Sequence, residues 1–403
     1  MTSLTGRDLR QNEPTVGPSH SILGTYKRAP MEFVRGEGVE LYDANGKAYL
    51  DMASGIAVNA LGYGDDGIRR AIVTALDTGL VHVSNLYRTE PGEELARLLV
   101  SESFAESAFF CNSGAEANEG AFKFARRWGR SVGSDAKTGI IALRGSFHGR
   151  LFGSLAATDR PSYRAPFRPL AGGISICERD LKVLDSALDG ESVAALIVEP
   201  VQGEGGVRVL ETPFLQELRR LTAERGIALI FDEIQCGLGR LGTLFAYQSF
   251  DVVPDMITMA KPLAGGLPMG AILVSGEIGA TIKAGDHGTT FGGGPLVASV
   301  ALEVVRRLSD PTLLAAVREN GAWLGETLRA IARRNGKVRA IRGMGYMWGL
   351  DVVEKASTVI ERGWDAGLLV ISAGDHTIRL LPPLVMTRET LGKGVGLLEK
   401  ALV

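Results

Sequence analysis

The chain has 403 residues, 45% of them hydrophobic, and its 44 basic residues nearly balance 46 acidic ones. This length allows a large core and more than one average domain, and the balanced charge gives no indication of a nucleic-acid or anionic-membrane surface, so we expect small-molecule substrates. Three widely spaced cysteines match neither a disulfide framework nor a zinc knuckle, which favours a reducing cytoplasm. The polar amino terminus and the short apolar runs predict neither a targeting peptide nor a membrane-spanning helix.

The predicted elements begin with a polar arm. Residues 1–30 are expected to be irregular with some helix. Alternating apolar residues on both sides of Asp43–Gly46 predict a hairpin with an Asn-Gly turn. Helical spacing follows over Asp66–Thr78 and Pro91–Ser103.

The middle of the chain has the pattern of an α/β fold. Residues 108–274 alternate short apolar runs with amphipathic helices, as in a mostly parallel sheet wrapped by helices. Longer helices follow over Val297–Leu308 and Thr312–Asn335, before an α+β tail. The predicted domains are a large one over residues 60–300 and a small one made of residues 1–59 with 301–403.

Two of the apolar runs end in charged residues. Ile227–Phe231 and Met256–Ala260 predict strands buried on both faces, and Asp232 and Lys261 follow them directly. Open α/β sheets bind ligands at the carboxyl ends of their strands. A buried lysine near a carboxylate is a candidate for Schiff-base chemistry, since desolvation lowers the pKa of its amine. Spacing alone favours an ion pair between two loops, so both interpretations stay open here.

A helix start lies between Cys111 and Glu116. Ser113 and Glu116 form a capping-box pattern, and the free amides of such a helix start favour a phosphate. Many capping boxes bind nothing, so this pattern alone is a weak indication.

Two further motifs also follow predicted strands. Phe147 can stack on a flat heterocycle and Arg150 can bind a carboxylate, although a core phenylalanine beside a surface arginine is the ordinary alternative. Glu199 and Glu204 flank glycines and could form an acid–base pair or a structural ion pair, and without a nearby histidine we expect no metal.

The string Gly237–Gly242 satisfies the G-x-G-x-x-G pattern of a dinucleotide fold. Five residues separate it from the preceding strand and no clear helix follows, so a nicotinamide-dependent dehydrogenase is only a remote alternative.

Taken together, the strings NSGAEANE and EPVQGEGG and the segment Ala228–Gly270 resemble the class III pyridoxal phosphate aminotransferases. The resemblance runs from about Gly36 to Pro383. It implies the type I aminotransferase fold, pyridoxal 5'-phosphate as cofactor, and a homodimer with two active sites at the interface. It also implies that Lys261 binds the cofactor covalently and moves the substrate proton, while Asp232 keeps the pyridine nitrogen protonated.

The same resemblance implies the remaining site residues. The expected cofactor contacts are Ser113, Gly114 and Ala115 at the phosphate, Phe147 and His148 at the ring, Ile234 beneath it, Gln235 at its 3-hydroxyl, and Thr290 from the neighbouring subunit. The expected substrate contacts are Tyr26 and Arg150 at the carboxylate, Glu199, Thr289, and the pair Glu204 and Arg379, which would open for a second carboxylate. For Tyr26, a surface tyrosine of the arm is an equal alternative.

The segment Gly55–Gly62 is most similar to the acetylornithine branch of the family, since an ornithine-type enzyme would usually carry a tyrosine near Gly55. The implied reaction moves the terminal amino group of N-acetylornithine to 2-oxoglutarate, as in arginine biosynthesis. Ornithine, succinylornithine, 4-aminobutyrate and carrier-linked lysine are the alternative donors. Six residues differ from those usual in the family, so the identity of the amino donor is not decided by the sequence: Tyr63, Asp65, Asp66, Leu151, Leu241 and Gly294.

Overall fold

The computed structural model describes residues 21–403. The first twenty residues of the predicted arm lie outside this range, and residues 21–30 form neither helix nor strand. In chain order the strands are β1 (Phe33–Glu37), β2 (Glu40–Asp43), β3 (Ala48–Asp51), β4 (Ser107–Cys111), β5 (Gly139–Leu143), β6 (Ile174–Cys177), β7 (Val193–Val198), β8 (Val201–Gln202), β9 (Arg208–Val209), β10 (Ala228–Asp232), β11 (Met256–Met259), β12 (Gly270–Val274), β13 (Val338–Met344), β14 (Met347–Val352), β15 (Leu368–Leu369), β16 (Ile371–Ser372) and β17 (Thr377–Leu380).

The helices are α1 (Ser54–Ala57), α2 (Asp66–Asp77), α3 (Glu90–Ser101), α4 (Gly114–Val132), α5 (Phe152–Ala156), α6 (Pro161–Arg164), α7 (Leu181–Ala187), α8 (Thr212–Glu224), α9 (Tyr247–Phe250), α10 (Gly276–Gly279), α11 (Pro295–Leu308), α12 (Pro311–Arg334), α13 (Ala356–Asp365) and α14 (Arg388–Ala401). Short 3-10 turns occur at Ala165–Phe167 and Lys261–Ala264. No helix within residues 21–403 combines the length and apolar character needed to cross a membrane.

The largest sheet confirms the predicted mostly parallel arrangement. Its strand order is β4-β12-β11-β10-β7-β5-β6, and β12 runs antiparallel to both of its neighbours. The other strands share one direction, so their carboxyl ends meet at one edge of the sheet. Asp232 ends β10 opposite Thr258 of β11, and Lys261 follows β11 by two residues.

Both faces of this sheet are covered, which explains why its central strands lack charged residues before their ends. Leu229 and Phe231 of β10 pack into one buried cluster, while Ala228 and Ile230 point the other way, into a cluster that includes Phe122 of α4. Successive residues of a strand face opposite sides, so an uninterrupted apolar run fits burial on both. Each fully buried large aliphatic or aromatic side chain contributes about 1.5–3 kcal/mol.

Smaller sheets join distant parts of the chain. Strands β1, β2 and β3 form a sheet with β15, in which Leu50 pairs with Leu368. The predicted hairpin lies between β2 and β3, and Gly46 has a φ of 81° in its loop. Strands β13, β14, β17 and β16 form an antiparallel sheet that carries Arg379. The domain boundaries stay a prediction.

Helix α1 is a single left-handed turn. Its four residues have φ between 44° and 66°, and each non-glycine residue in this conformation costs about 1–2 kcal/mol. The buried carboxylate of Asp51 accepts hydrogen bonds from the amides of Ala53 (2.7 Å) and Ser54 (2.9 Å). Ser54 Oγ donates to the Leu381 carbonyl at 2.6 Å. The turn is therefore held in place by residues on both of its sides.

Candidate active site

A cavity of about 560 Å³ lies where β4, β5, β7, β10 and β11 end. Because parallel strands end at one edge of the sheet, residues that are far apart in sequence converge there. The cavity is lined by most of the predicted site residues: Tyr26, Ser113, Gly114, Ala115, Phe147, His148, Arg150, Glu199, Glu204, Asp232, Ile234, Gln235 and Lys261.

Asp232 is buried and held by three donors. Its Oδ2 accepts from Asn118 Nδ2 at 2.8 Å and contacts His148 Nδ1 at 2.7 Å, and its Oδ1 accepts from the Ile234 amide at 3.1 Å. An ionised carboxylate only accepts hydrogen bonds, so His148 Nδ1 carries the proton in this contact. Asn118 also accepts from Thr258 Oγ1 at 2.8 Å, which fixes its amide. The carboxylate is thus oriented before any ligand arrives.

Lys261 lines the same cavity from the 3-10 turn after β11, with a φ of 45°. Burial lowers the pKa of its ammonium group, and the Arg379 guanidinium lowers it further, while Asp232 opposes both effects. A lowered pKa increases the fraction of unprotonated amine, which is the nucleophilic and basic form.

The start of α4 forms one wall of the cavity. Ser113 is the N-cap, and its Oγ accepts from the Glu116 amide at 3.2 Å. The predicted capping box is only half formed, because the Glu116 carboxylate accepts from the Asn112 amide at 2.6 Å and not from Ser113. A Cβ on Gly114 would lie 2.7 Å from Ile234 Cδ1, so the glycine allows Ile234 to pack against the helix start.

Arg150 is exposed on the rim of the cavity. Its guanidinium carbon lies 5.9 Å from the ring centroids of Tyr26 and Phe147, and 5.1 Å from that of Tyr163. Among the described residues no carboxylate forms a salt bridge with it. The fork of donors is therefore available to a ligand.

The two predicted glutamates have different surroundings. Burial raises the pKa of Glu199 to about 7, opposed by His148 and reinforced by Asp232. Its oxygens accept from the amides of Phe147 (2.9 Å) and Gly203 (3.3 Å). Glu204 instead forms an ion pair with Arg379, the pairing that the resemblance to the family implied.

The Glu204 carboxylate lies 2.7 Å from Arg379 Nη2. Arg379 Nη1 also donates to Gln235 Oε1 at 2.9 Å, and its side chain is 3% exposed against 25% for Glu204. Gln235 therefore lines the cavity while its amide oxygen is bonded to the arginine. Arg379 becomes available to a ligand only when Glu204 moves.

Comparison with known proteins identifies the family. The family described as "Aminotransferase class-III" matches residues 24–402. The chain belongs to the class III aminotransferases. It is 44% identical to the mitochondrial acetylornithine aminotransferase of Alnus glutinosa, over 94% of this chain and 85% of that protein. It is 39% identical to the acetylornithine aminotransferase of Clostridium acetobutylicum, over 94% and 98% of the two chains.

Solved structures of aminotransferases share the fold. The N-acetylornithine aminotransferase of Stenotrophomonas maltophilia has a TM-score of 0.81 and 36% identity, covering 93% of this chain and 96% of that one. The ornithine aminotransferase of Toxoplasma gondii has a TM-score of 0.90 and 28% identity, covering 95% and 92%. The predicted type I aminotransferase fold is confirmed.

This class III aminotransferase uses pyridoxal 5'-phosphate, and the residues in its cavity fit that group. The amides at the start of α4 suit the phosphate, the oriented Asp232 carboxylate suits a protonated pyridine nitrogen, and Lys261 has the lowered pKa that bond formation with an aldehyde requires.

The two predicted threonines of this class III aminotransferase lie apart from the cavity. Thr289 and Thr290 line a separate cavity of about 970 Å³. Asn112 Nδ2 donates to Thr289 Oγ1 at 3.2 Å, so their loop adjoins the helix start. Their expected roles at the interface of two subunits stay a prediction.

Two of the six residues that differ from the family's usual sequence have local structural roles. Tyr63 donates to the buried Asp51, which holds the left-handed turn. Asp65 caps α2 and forms a salt bridge with Arg307 at 2.6 Å. The remaining four residues occupy ordinary positions: Asp66 begins α2, Leu151 is half exposed before α5, Leu241 is buried, and Gly294 precedes α11.

Residues that the sequence did not indicate complete the site. Asn118 and Thr258 hold Asp232, and Tyr163 packs beside Arg150. A buried asparagine between the apolar positions Ala117 and Ala121 of α4 was the available signal, because a polar residue on a core-facing helix surface needs a partner. The string Gly237–Gly242 forms a loop and precedes only the four-residue helix α9, which does not suit a dinucleotide fold.

Proposed function

We propose that this enzyme transfers the terminal amino group of N-acetylornithine to 2-oxoglutarate, giving the semialdehyde and glutamate. Relatives that are 39–44% identical over about the whole chain carry the name acetylornithine aminotransferase, in organisms as distant as Alnus glutinosa and Methanocaldococcus jannaschii. We further infer that the reaction serves arginine biosynthesis.

The pair of arginines at the cavity carries this proposal. Arg150 has no carboxylate partner in the described chain, whereas Arg379 is covered by Glu204. A donor with one carboxylate needs only Arg150. A dicarboxylate acceptor needs a second arginine, which Arg379 supplies when its ion pair opens. One cavity can therefore serve two substrates of different charge in turn.

When bound, pyridoxal phosphate supplies an aldehyde that bonds to amines and a ring that accepts electrons. Asp232 holds a proton on the pyridine nitrogen, and Asn118 and His148 keep its carboxylate aimed there. Lys261 Nζ takes the proton from the carbon that bears the donor's terminal amine, because burial lowers the pKa of its ammonium group and so increases the unprotonated, basic fraction. Phe147 lines the same cavity, where its ring can stack on a flat heterocycle.

The cavity has an apolar boundary where the end of the donor opposite its terminal amine would lie. Gly55 and Ile56 line the cavity from the left-handed turn, and no tyrosine side chain occupies that position. The methyl group of an acetamide can pack on the Ile56 side chain, which is 43% exposed, whereas the second ammonium group of ornithine gains nothing from an apolar surface.

We also propose a homodimer in which Thr290 of each subunit contacts the phosphate in the other. Large apolar side chains next to this loop are exposed, including Phe291 at 65%, Tyr87 at 71% and Leu86 at 88%. Exposed apolar groups concentrated in one region support an interface. The three free, buried cysteines support the expected reducing compartment.

The absorbance spectrum of the purified holoprotein tests the reaction. N-acetylornithine alone should abolish the visible band of the lysine-bound cofactor, ornithine should leave most of it, and 2-oxoglutarate should then restore it. If ornithine abolishes the band equally well, the donor assignment is wrong. If neither amine changes it, the proposed reaction is wrong.

A pair of lysine variants provides the control. Lys261→Ala should lack the band, whereas Lys182→Ala, which changes an exposed lysine outside the cavity, should keep it. A band that survives in Lys261→Ala would contradict the role of this lysine.

A further inference from the structure

A second cavity of about 450 Å³ lies on the other side of the loop that carries Glu204. Four arginines line it: Arg160, Arg208, Arg339 and Arg342. The whole chain has a net charge of −2, so this concentration of positive charge is local.

Three of these arginines bond to successive carbonyls of the loop. Arg160 donates to the Glu204 carbonyl, Arg208 Nε donates to the Gly205 carbonyl at 3.0 Å, and Arg342 Nε donates to the Gly206 carbonyl at 2.6 Å. The loop backbone is thus held from the second cavity, while the Glu204 side chain reaches the first.

The charges in this cavity are only partly compensated. Arg342 forms a bidentate ion pair with Asp351, with distances of 2.5 and 2.6 Å. Within residues 21–403, no carboxylate lies within salt-bridge distance of Arg160, Arg208 or Arg339. Asp375, which is exposed, is the remaining acidic residue in the lining that has no cationic partner.

A neighbouring arginine adds to the uncompensated positive charge. Arg179 lines an adjoining cavity that shares Arg208 and Arg342. Burial lowers the pKa of Arg179, and the like charge of Arg208 lowers it further. Unfavourable contact between like charges is relieved by a bound anion.

The arginines could serve only to brace the loop, but two features exceed that role. Arg208 uses only Nε for the loop, and in the part of the chain that the structure describes neither of its terminal nitrogens has a hydrogen-bond partner. Within residues 21–403, Arg339 forms no hydrogen bond with the loop, and the one hydrogen bond that its side chain makes there is a long one of 3.4 Å to the Val353 carbonyl. Guanidinium groups with several free donors around a compact space match a small oxyanion.

We propose that Arg160, Arg208 and Arg339 form a second anion site, which binds a small, multiply charged oxyanion of the phosphate class. A ligand that bridges Arg160 and Arg208 with their free donors also fastens the loop they hold. Glu204 then stays on Arg379, so the bound anion opposes entry of the second carboxylate. The site itself is independent of the proposed function, whereas this coupling rests on it.

Calorimetric titration of the holoenzyme with inorganic pyrophosphate, at constant ionic strength, tests the site. We expect one ion to bind per chain, and Arg339→Gln to weaken binding by about tenfold or more, since a charge-assisted contact is lost. Arg70→Gln removes the same charge from an exposed position on α2 outside both cavities and should bind as the wild type does. Equal affinity in Arg339→Gln, or no binding to the wild type, would overturn the site.

Steady-state kinetics test the coupling. Pyrophosphate at about four times its wild-type dissociation constant should raise the KM for 2-oxoglutarate about fivefold in the wild type and in Arg70→Gln, and less than about twofold in Arg339→Gln. An equal rise in Arg339→Gln would show competition inside the active site and overturn the coupling. Absent turnover of N-acetylornithine would contradict the proposed function, while the calorimetric result would still decide the anion site.

Discussion

The amide of Asn118 connects three parts of the active site, and its loss should affect both stability and catalysis. It donates to Asp232 at 2.8 Å and to the His148 carbonyl at 2.7 Å, and it accepts from Thr258 at 2.8 Å. Two neutral hydrogen bonds contribute about 1 kcal/mol each, and the bond to the carboxylate about 2 kcal/mol. Water that enters the space left by Asn118→Ala offsets part of this sum. We therefore expect Asn118→Ala to lose about 3 kcal/mol of unfolding free energy.

Catalysis should fall as well, because the carboxylate of Asp232 loses one of its three donors and is less well aimed. We expect kcat to fall about tenfold or more, in line with the loss of one charge-assisted hydrogen bond. Urea unfolding and single-turnover rates of the donor half-reaction measure the two effects. Gln216→Ala, which removes an exposed amide from the surface of α8, should change both by little. A stability loss in Asn118→Ala no larger than in Gln216→Ala would refute the reasoning.

Three further substitutions test two residues of the site and one buried residue, Glu233, that follows Asp232 but does not line the cavity. Glu204→Gln should lower the KM for 2-oxoglutarate about tenfold, measured by steady-state kinetics, because the acceptor no longer has to open an ion pair with Arg379 that is worth about 1–2 kcal/mol. Glu233 is buried, and burial raises its pKa from 4.5 to about 8. Its contribution to the free energy of unfolding is therefore present below pH 4.5 and lost as the pH rises to about 8. Urea unfolding should show that this free energy decreases less across the range in Glu233→Gln than in the wild type. Gly114→Ala should raise the dissociation constant of pyridoxal phosphate about tenfold, measured by equilibrium dialysis, because the added Cβ would lie 2.7 Å from Ile234 Cδ1 and overpacking costs about 1–3 kcal/mol.

Matched variants separate these effects from general damage. Glu361→Gln changes an exposed glutamate on α13 and should alter neither the KM nor the pH dependence. Gly396→Ala adds a Cβ on α14 with no atom within 4 Å, so it should leave cofactor binding unchanged and increase helix stability. If Glu361→Gln had the same effect as Glu204→Gln or Glu233→Gln, or Gly396→Ala the same effect as Gly114→Ala, the explanation from local contacts would be contradicted.

The sequence predicted those parts of the molecule that are determined locally. Apolar runs that precede Asp232 and Lys261 predicted both strands and their shared edge, because a run of about five aliphatic residues is too short for a buried helix and suits a strand covered on both faces. The start of α4 was likewise visible in the capping residues around Ser113. The order of the strands and the single antiparallel strand β12 depend on contacts between distant segments, which no short window of sequence contains.

The rest of the site depends on distant contacts. Asn118 and Asp232 are 114 residues apart, and nothing in α4 alone shows which strand its buried face meets. The resemblance to a family supplied the pairing of Glu204 with Arg379, which are 175 residues apart, where spacing could not. The arginines of the second cavity come from α5–α6, β9 and β13, and they belong to no recognisable motif.

The left-handed turn at Ser54–Ala57 has a consequence for how donor preference can change. A tyrosine at Gly55 would have to adopt a φ of 62°, which costs about 1–2 kcal/mol, and its Cβ would lie 3.0 Å from Asn59 Nδ2. An ornithine-type residue at this position is therefore not a simple exchange in this backbone. Asp51 and Tyr63 support this turn. Laboratory or natural evolution towards another amine would first have to change that support. The first substitutions are therefore expected at residues that hold the turn and not at residues that line the cavity.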